Sequence, residues 1–221
     1  IEHVGGTMLH SSRTNPSKMK SPEGTVVDMT PTVLSNLEKL GIDELIVIGG
    51  DDTLSFAAKL HQAGMRVIAV PKTMDNDLNA TDFTFGFDSA VAVATESIDR
   101  LRDTARSHNR VMVVEVMGRH AGWVALYAGI AGGADWISLP EVPLDVDEMC
   151  AHLSDVRDRG RHFGIVVASE GTEIPVSEDA VQELDNFGHV TLRDRGVGEF
   201  LAKEIEAKTG IEPRFAVLGP I

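Results

Sequence analysis

Val67-Ile68-Ala69-Val70-Pro71-Lys72-Thr73-Met74-Asp75-Asn76-Asp77 is the stretch on which the reading of the fold turns. The four apolar residues read as a buried strand. Proline predicts its end, and the next six residues hold one cation, two carboxylates, a hydroxyl and an amide. Open α/β sheets place their ligands in such loops, at the carboxyl ends of parallel strands. A carboxylate beside a lysine there suits general-base chemistry next to an anion. The same residue types also build a solvated turn, so the neighbouring segments decide between the two.

One unit earlier, Glu44-Leu45-Ile46-Val47-Ile48 reads as a strand ending in Gly49-Gly50-Asp51-Asp52-Thr53. Leu54, Ala57, Ala58 and Leu60 then mark a helix that Gly64 closes. A glycine pair between a strand and a helix start is a phosphate-cradle geometry. Asp51 and Asp52 put negative charge where phosphate would sit, a conflict that disappears if Asp51 holds Mg²⁺, which takes carboxylate oxygens and bridges phosphates. Two acids at a helix start also favour its dipole without any ligand. Before this unit, Thr30-Pro31 predicts an N-cap and N1 pair, with Gly41 as the C′ residue. Further upstream, Gly5-Gly6-Thr7 and Ser11-Ser12-Arg13-Thr14 form a loop of small residues in which Arg13 can grip an anion.

Downstream, a long helix is expected from Asp88 or Ser89 to about Asn109, with Val91, Ala94, Ile98 and Leu101 as its apolar stripe. Arg110 stands just before the strand Val111 to Val116, an apolar run interrupted only by Glu115. That strand runs into Met117-Gly118-Arg119-His120-Ala121-Gly122, and a helix rich in Ala and Gly follows. A strand at Trp136 to Glu141, a helix ended by Gly160, and a strand landing on Ser169-Glu170-Gly171 come next. Residues 172–191 lack a period and read as a surface insertion. A helix from Gly198 to Lys208 and a strand opened by Arg214 complete the chain. Apolar strands alternating with helices imply a parallel, doubly wound sheet. Asp51, Lys72, Asp75, Arg119 and Glu170 would then share one sheet edge, making a phosphate- and metal-binding site with a carboxylate base.

At 221 residues, 43% apolar and 24% charged, the chain can bury a core in one or two domains. The formal charge of −14 argues against non-specific nucleic-acid binding, which needs a basic face. Phosphorylated metabolites stay open, since a local cluster of Arg and Lys suffices for them. The single cysteine, Cys150, excludes an intramolecular disulfide and a cysteine metal cluster. No apolar run reaches membrane-span length, and no signal-peptide pattern appears, so the cytoplasm is the expected compartment. Ile1 starts in mid-pattern and the last residues read as a strand entering a loop, which suggests part of a longer chain.

Taken together the motifs resemble those of the phosphofructokinases. The carrying residues are Gly49-Gly50-Asp51-Asp52-Thr53, Pro71 to Asp77, Ser107-His108-Asn109-Arg110, Met117 to Gly122 and Glu170, with Gly5-Gly6-Thr7 and Arg13 also fitting. The resemblance implies an α/β, doubly wound fold with mostly parallel sheets and helices on both faces. It implies a donor-binding part at 1–114 and a sugar-phosphate-binding part at 115–221. Asp75 would take the proton from the C1 hydroxyl of fructose 6-phosphate, whose oxygen attacks the terminal phosphoryl group in line. Lys72 and Arg13 would stabilise charge on that group, and Thr73 would hydrogen-bond near it. Asp51 would hold Mg²⁺, with Asp77 helping through water. Gly50, Asp52 and Thr53 would line the donor. Met117, Gly118, Arg119 and Glu170 would position the sugar. Arg110 and Arg214 match arginines that reach the 6-phosphate of a neighbouring subunit, so a homo-oligomer is implied, with no nucleic-acid or membrane partner.

For the donor, the resemblance points to pyrophosphate. ATP-dependent members typically carry Gly where Asp52 stands and often Gly where Lys72 stands. A carboxylate at Asp52 fills and charges the space through which a nucleotide's α-phosphate would pass. The rivals are an ATP-dependent phosphofructokinase and a non-catalytic, sugar-phosphate-binding regulatory subunit. Two departures stand out: the family's first strand and glycine-rich loop would precede Ile1, and Pro220 occupies a position where the family has His. Proline offers no hydrogen-bond donor.

Overall fold

The computed structural model describes residues 7–8, 10–12, 14–175 and 196–220. Arg13, Gly5, Gly6 and most of the expected insertion at 172–191 lie outside the described residues. Packing divides the chain into two compact units, with the break between Val70 and Pro71. The division expected at 114/115, drawn by ligand, does not coincide with this break.

The first unit opens with a 3-10 turn, Pro16–Lys18, and two short antiparallel strands, β1 (Met19–Lys20) and β2 (Val26–Val27). Helix α1 (Thr30–Lys39) starts one residue earlier than the sequence predicts. Asp28 Oδ1 accepts the Thr30 N–H at 2.8 Å, so Asp28 does the capping expected of Thr30. Gly41 closes the helix at φ +69°, as expected. Strand β3 (Glu44–Gly49) leads directly into α2 (Asp51–Gln62), whose first turn contains both aspartates.

Strand β4 (Arg66–Thr73) crosses from the first unit into the second. It does not stop at Pro71 as predicted: Lys72 and Thr73 pair in parallel with Phe85 and Gly86 of β5 (Phe85–Gly86). Proline is tolerated because these pairs, rather than its own absent N–H, carry the ladder here.

The second unit is built on a four-stranded parallel sheet in the order β7-β8-β6-β9. Its strands are β6 (Val111–Val116), β7 (Trp136–Ser138), β8 (Gly164–Ser169) and β9 (Pro213–Leu218). Alternation along β6 and β8 sends side chains to opposite faces. Met112, Val114, Val116, Ile165 and Val167 pack on α3 (Phe87–His108) and α4 (Trp123–Ala131). Val111, Val113, Val166 and Ala168 pack on α5 (Val146–Asp158) and α6 (Val197–Thr209). Both faces are covered, so β6 and β8 read as continuous apolar runs, and each buried Val or Ile contributes about 1.5–3 kcal/mol. The small residues of α4 let it lie close: a Cβ on Gly129 would come within 2.7 Å of Ile137. Glu115, 8% exposed in mid-strand, meets the amino end of α6, where Gly198 N donates to its Oε2 at 2.6 Å.

The doubly wound α/β architecture is therefore present, with one correction. The strands fall into separate sheets, β3-β4-β5 and β7-β8-β6-β9. Only Arg119 and Glu170 of the five expected residues lie at the carboxyl edge of the four-stranded sheet, because Lys72 lies within β4, Asp75 follows it and Asp51 follows β3. No helix of the described residues is long and apolar enough to cross a membrane.

Candidate active site

Adjacent strands β6 and β8 hand the chain to opposite faces of the sheet: β6 is followed by α4, and β8 by α6. A crevice opens at the carboxyl ends of such a strand pair, where α/β proteins bind ligands. The loop after β6 supplies Met117, Gly118 and Arg119, and the loop after β8 supplies Glu170.

The two loops are joined. Glu170 N donates to Val116 O at 2.8 Å and Gly171 N to Gly118 O at 3.1 Å. The Ser169 hydroxyl also donates to Gly118 O, and the Gly118 N–H hydrogen-bonds the Glu170 carboxylate. Gly118 sits at φ +137°, where a side chain is strained, and an added Cβ would lie 2.5 Å from Ala121 O. Glu141 steadies the far end of the loop, its Oε1 accepting the Gly122 N–H at 2.8 Å. Burial raises the Glu170 carboxyl above its ordinary range, opposed by the Gly118 N–H and by Arg119.

Asp75 belongs to the same unit. Its turn is fixed locally: Thr84 Oγ1 donates to Thr73 O at 2.7 Å, Thr84 N donates to Asn76 Oδ1 at 2.9 Å, and Asp75 N donates to Thr73 Oγ1 at 3.2 Å. Asn76 takes the left-handed conformation, φ +53°, that lets the chain reverse here. Asp75 is thereby turned inward, and its Oδ1 is buried without a hydrogen-bond partner. Its pKa is raised from 3.8 to about 6, chiefly by burial, then by the charges of Asp77 and Glu170, against the pull of Arg119. Asp75, Asp77, Arg119 and Glu170 thus form one electrostatic cluster. A buried carboxylate with a free oxygen, poised near neutrality beside a cation, can accept a proton from a substrate hydroxyl. Lys72 and Asp77 are exposed at the rim of this turn.

Arg110 and Arg214 lie elsewhere. They stand at the amino ends of β6 and β9, across six residues or roughly 20 Å of strand from the Arg119 loop. There they share Glu212, whose Oε1 is 2.7 Å from Arg110 and 2.8 Å from Arg214. Within one chain they do not join the cluster.

In the first unit, Gly50 is the N-cap of α2, and Asp51, Asp52 and Thr53 occupy its first turn. Gly49 is required because a Cβ there would sit 2.6 Å from the Cβ of Thr53. No group of three or more His, Cys, Asp or Glu among the described residues is placed to hold a metal. A single exposed carboxylate, Asp51, leaves the rest of a coordination sphere to phosphate oxygens and water. That donor set fits Mg²⁺, which keeps its waters and binds through one or two carboxylates and substrate phosphates.

The sequence reading missed the residues that hold the site. Thr84, buried between two phenylalanines, carried a signal in its neighbours. Glu115, the acid inside an apolar strand, was visible as an interruption. Ser169 gave none, since a serine at a strand end is commonplace.

The sequence profile of one family, described as Phosphofructokinase, matches residues 1–221. A pyrophosphate–fructose 6-phosphate 1-phosphotransferase of Streptomyces coelicolor is 52% identical over 98% of this chain and 61% of its own length. An ATP-dependent 6-phosphofructokinase of Corynebacterium efficiens is 49% identical, again over 98% of this chain and 61% of its own. The crystal structure of a pyrophosphate-dependent phosphofructokinase from Marinobacter aquaeolei superposes with a TM-score of 0.68 at 27% identity, covering 89% of this chain and 50% of that one. The chain spans about three fifths of the length of these curated relatives.

Proposed function

The chain belongs to the phosphofructokinase family, and from that premise we propose that the protein transfers a phosphoryl group from pyrophosphate to the 1-hydroxyl of fructose 6-phosphate. The product is fructose 1,6-bisphosphate, in a reversible step of glycolysis. The observation that carries this reading is Asp75: its pKa is raised to about 6 and it has an oxygen free for a substrate proton. Asp75 accepts the C1 hydroxyl proton as that oxygen attacks phosphorus, the P–O bond to the leaving phosphate breaks, and the leaving group departs with its electron pair. Arg119 and Glu170 hold the sugar, with Met117 and Gly118 shaping the wall beneath it. Lys72, Thr73 and Arg13 meet the transferred phosphoryl group. Gly50, Asp52 and Thr53 line the donor, Asp77 aids through water, and Asp51 is the protein's ligand to Mg²⁺. When bound, Mg²⁺ neutralises phosphate charge.

Residues 1–114 serve the donor and 115–221 the sugar phosphate in this scheme. Arg110 and Arg214, distant from their own chain's cluster, serve the 6-phosphate of a neighbouring subunit, so the working form is a homo-oligomer in the cytoplasm. A second reading uses ATP, favoured by the 49% identity to a relative named for that donor. Asp52 separates the two, because its carboxylate would repel a nucleotide's α-phosphate. Asp52→Gly in the full-length protein is expected to raise kcat/KM for ATP by roughly tenfold or more, measured against pyrophosphate. An unchanged preference would remove the steric account of donor choice.

The pH profile tests the base. Because Asp75 works ionised, log kcat/KM should fall with unit slope as pH drops through about 6. A profile flat from pH 7.5 to about pH 5 would exclude Asp75 as the proton acceptor.

A further inference from the structure

Four hydrogen bonds tie the loop after β6 to the loop after β8: two are backbone–backbone at a fixed register, Val116 opposite Ser169, and a third joins the Gly118 N–H to the Glu170 carboxylate. The fourth comes from a side chain, the Ser169 hydroxyl, fully buried at 0% exposure and donating to Gly118 O. That carbonyl is shared with Gly171 N, 3.1 Å away, and Gly171 N also lies 3.5 Å from Ser169 Oγ. The shared acceptor belongs to the residue at φ +137°, a conformation that side chains rarely adopt. On either side of this knot stand Arg119 and Glu170.

We propose that Ser169 is a positioning residue that clamps Gly118 and so sets the spacing of Arg119 and Glu170 for the sugar phosphate. The inference deepens the phosphotransferase reading and rests on it, since the clamp matters only if these two residues meet a sugar. Ser169 does not touch substrate: it is sealed under the loop it holds. Without its donor, Gly118 O keeps only Gly171 N, and the hold on a peptide at φ +137° is weakened. The Gly118 N–H then turns away from Glu170 while Arg119 drifts from it. The phosphoryl donor, which this reading assigns to residues 1–114, would not feel the change.

The test uses the full-length protein with Ser169→Ala, Ser169→Cys, which keeps the volume but donates weakly, and Ser169→Thr. Ala and Cys are expected to raise the KM and the calorimetric Kd for fructose 6-phosphate roughly fivefold to tenfold, the effect of one hydrogen bond, at unchanged KM for pyrophosphate. Thr is expected to restore wild-type values. Hydrogen–deuterium exchange of the peptide containing Gly118 and Arg119 should quicken by roughly tenfold in Ala and Cys, whether or not the enzyme turns over. Equal exchange in all four proteins overturns the clamp, as does a rise in both KM values together, which would mean general loosening. An inactive wild type would instead strike the phosphotransferase reading, leaving exchange to decide the clamp.

Discussion

Asp75→Asn is expected to lower kcat by roughly 10³-fold and, in the same protein, to raise Tm at neutral pH. The first effect follows from removing the proposed proton acceptor while keeping the volume and the turn, since Thr73, Asn76 and Thr84 fix that turn without the carboxylate. The second follows from the direction of the pKa shift. Folding raises the Asp75 pKa from 3.8 to about 6, so the ionised form is less welcome in the folded protein than in the unfolded chain. Above pH 6 that mismatch costs stability, about 1–2 kcal/mol after allowing for solvent screening. The cost is relieved as pH falls through 6 toward 4, where the folded carboxyl takes up a proton first. Asparagine carries no charge and escapes the cost at pH 7.5, but gains nothing at pH 4. Thermal unfolding at the two pH values, with kcat alongside, checks both halves. A lower Tm at pH 7.5, or a kcat within tenfold of wild type, would contradict the assignment. Activity gained at the expense of stability is a common trade in active sites.

Gly118→Ala and Gly171→Ala should be the most disruptive single changes in the second unit. At Gly118 the backbone sits at φ +137°, and the new methyl would meet Ala121 O at 2.5 Å and Ser169 Oγ at 2.9 Å. At Gly171 it would collide with the carbonyl of Arg119. Backbone atoms cannot step aside as a flexible side chain can, so each substitution should cost about 3 kcal/mol or more. Gly171→Ala pushes directly on Arg119 and Gly118→Ala strains the peptide beside it, so fructose 6-phosphate affinity should drop beyond what the loss of stability explains. Gly160→Ala is the control: Gly160 also has positive φ, +95°, but nothing lies within 4 Å of an added Cβ. It should cost about 1 kcal/mol and leave sugar binding unchanged. Denaturant unfolding and calorimetry measure both, and wild-type affinity in Gly118→Ala would break the link between loop and site.

The sequence made the second unit legible because β6 and β8 are covered on both faces, so burial shows as unbroken apolar runs. The polar residues then stand out at the strand ends, which is how Asp75, Arg119 and Glu170 were found. Helix ends marked by glycine, at Gly41, Gly64 and Gly160, could be read because positive φ restricts the residue type. Pro71 misled: whether a proline ends a strand depends on which neighbours carry the ladder, and that is a tertiary fact. The division into separate sheets was hidden for the same reason, since apolar runs do not say which strand pairs with which. Arg110 and Arg214 stand apart from the other site residues because residues at the amino ends of parallel strands belong to the opposite sheet edge. Ser169 and Thr84 act through bonds to residues 51 and 11 positions away, beyond the reach of any local pattern.

We propose phosphoryl transfer to a sugar phosphate with Asp75 as the base. Its most direct test is the initial rate of fructose 1,6-bisphosphate formation by the full-length protein with Mg²⁺, with pyrophosphate and ATP in parallel, for wild type and Asp75→Asn. Rapid turnover with pyrophosphate, little with ATP, and loss of both in the variant are expected. A wild type that forms no bisphosphate from either donor, or an Asp75→Asn protein that keeps pace with it, would contradict the account.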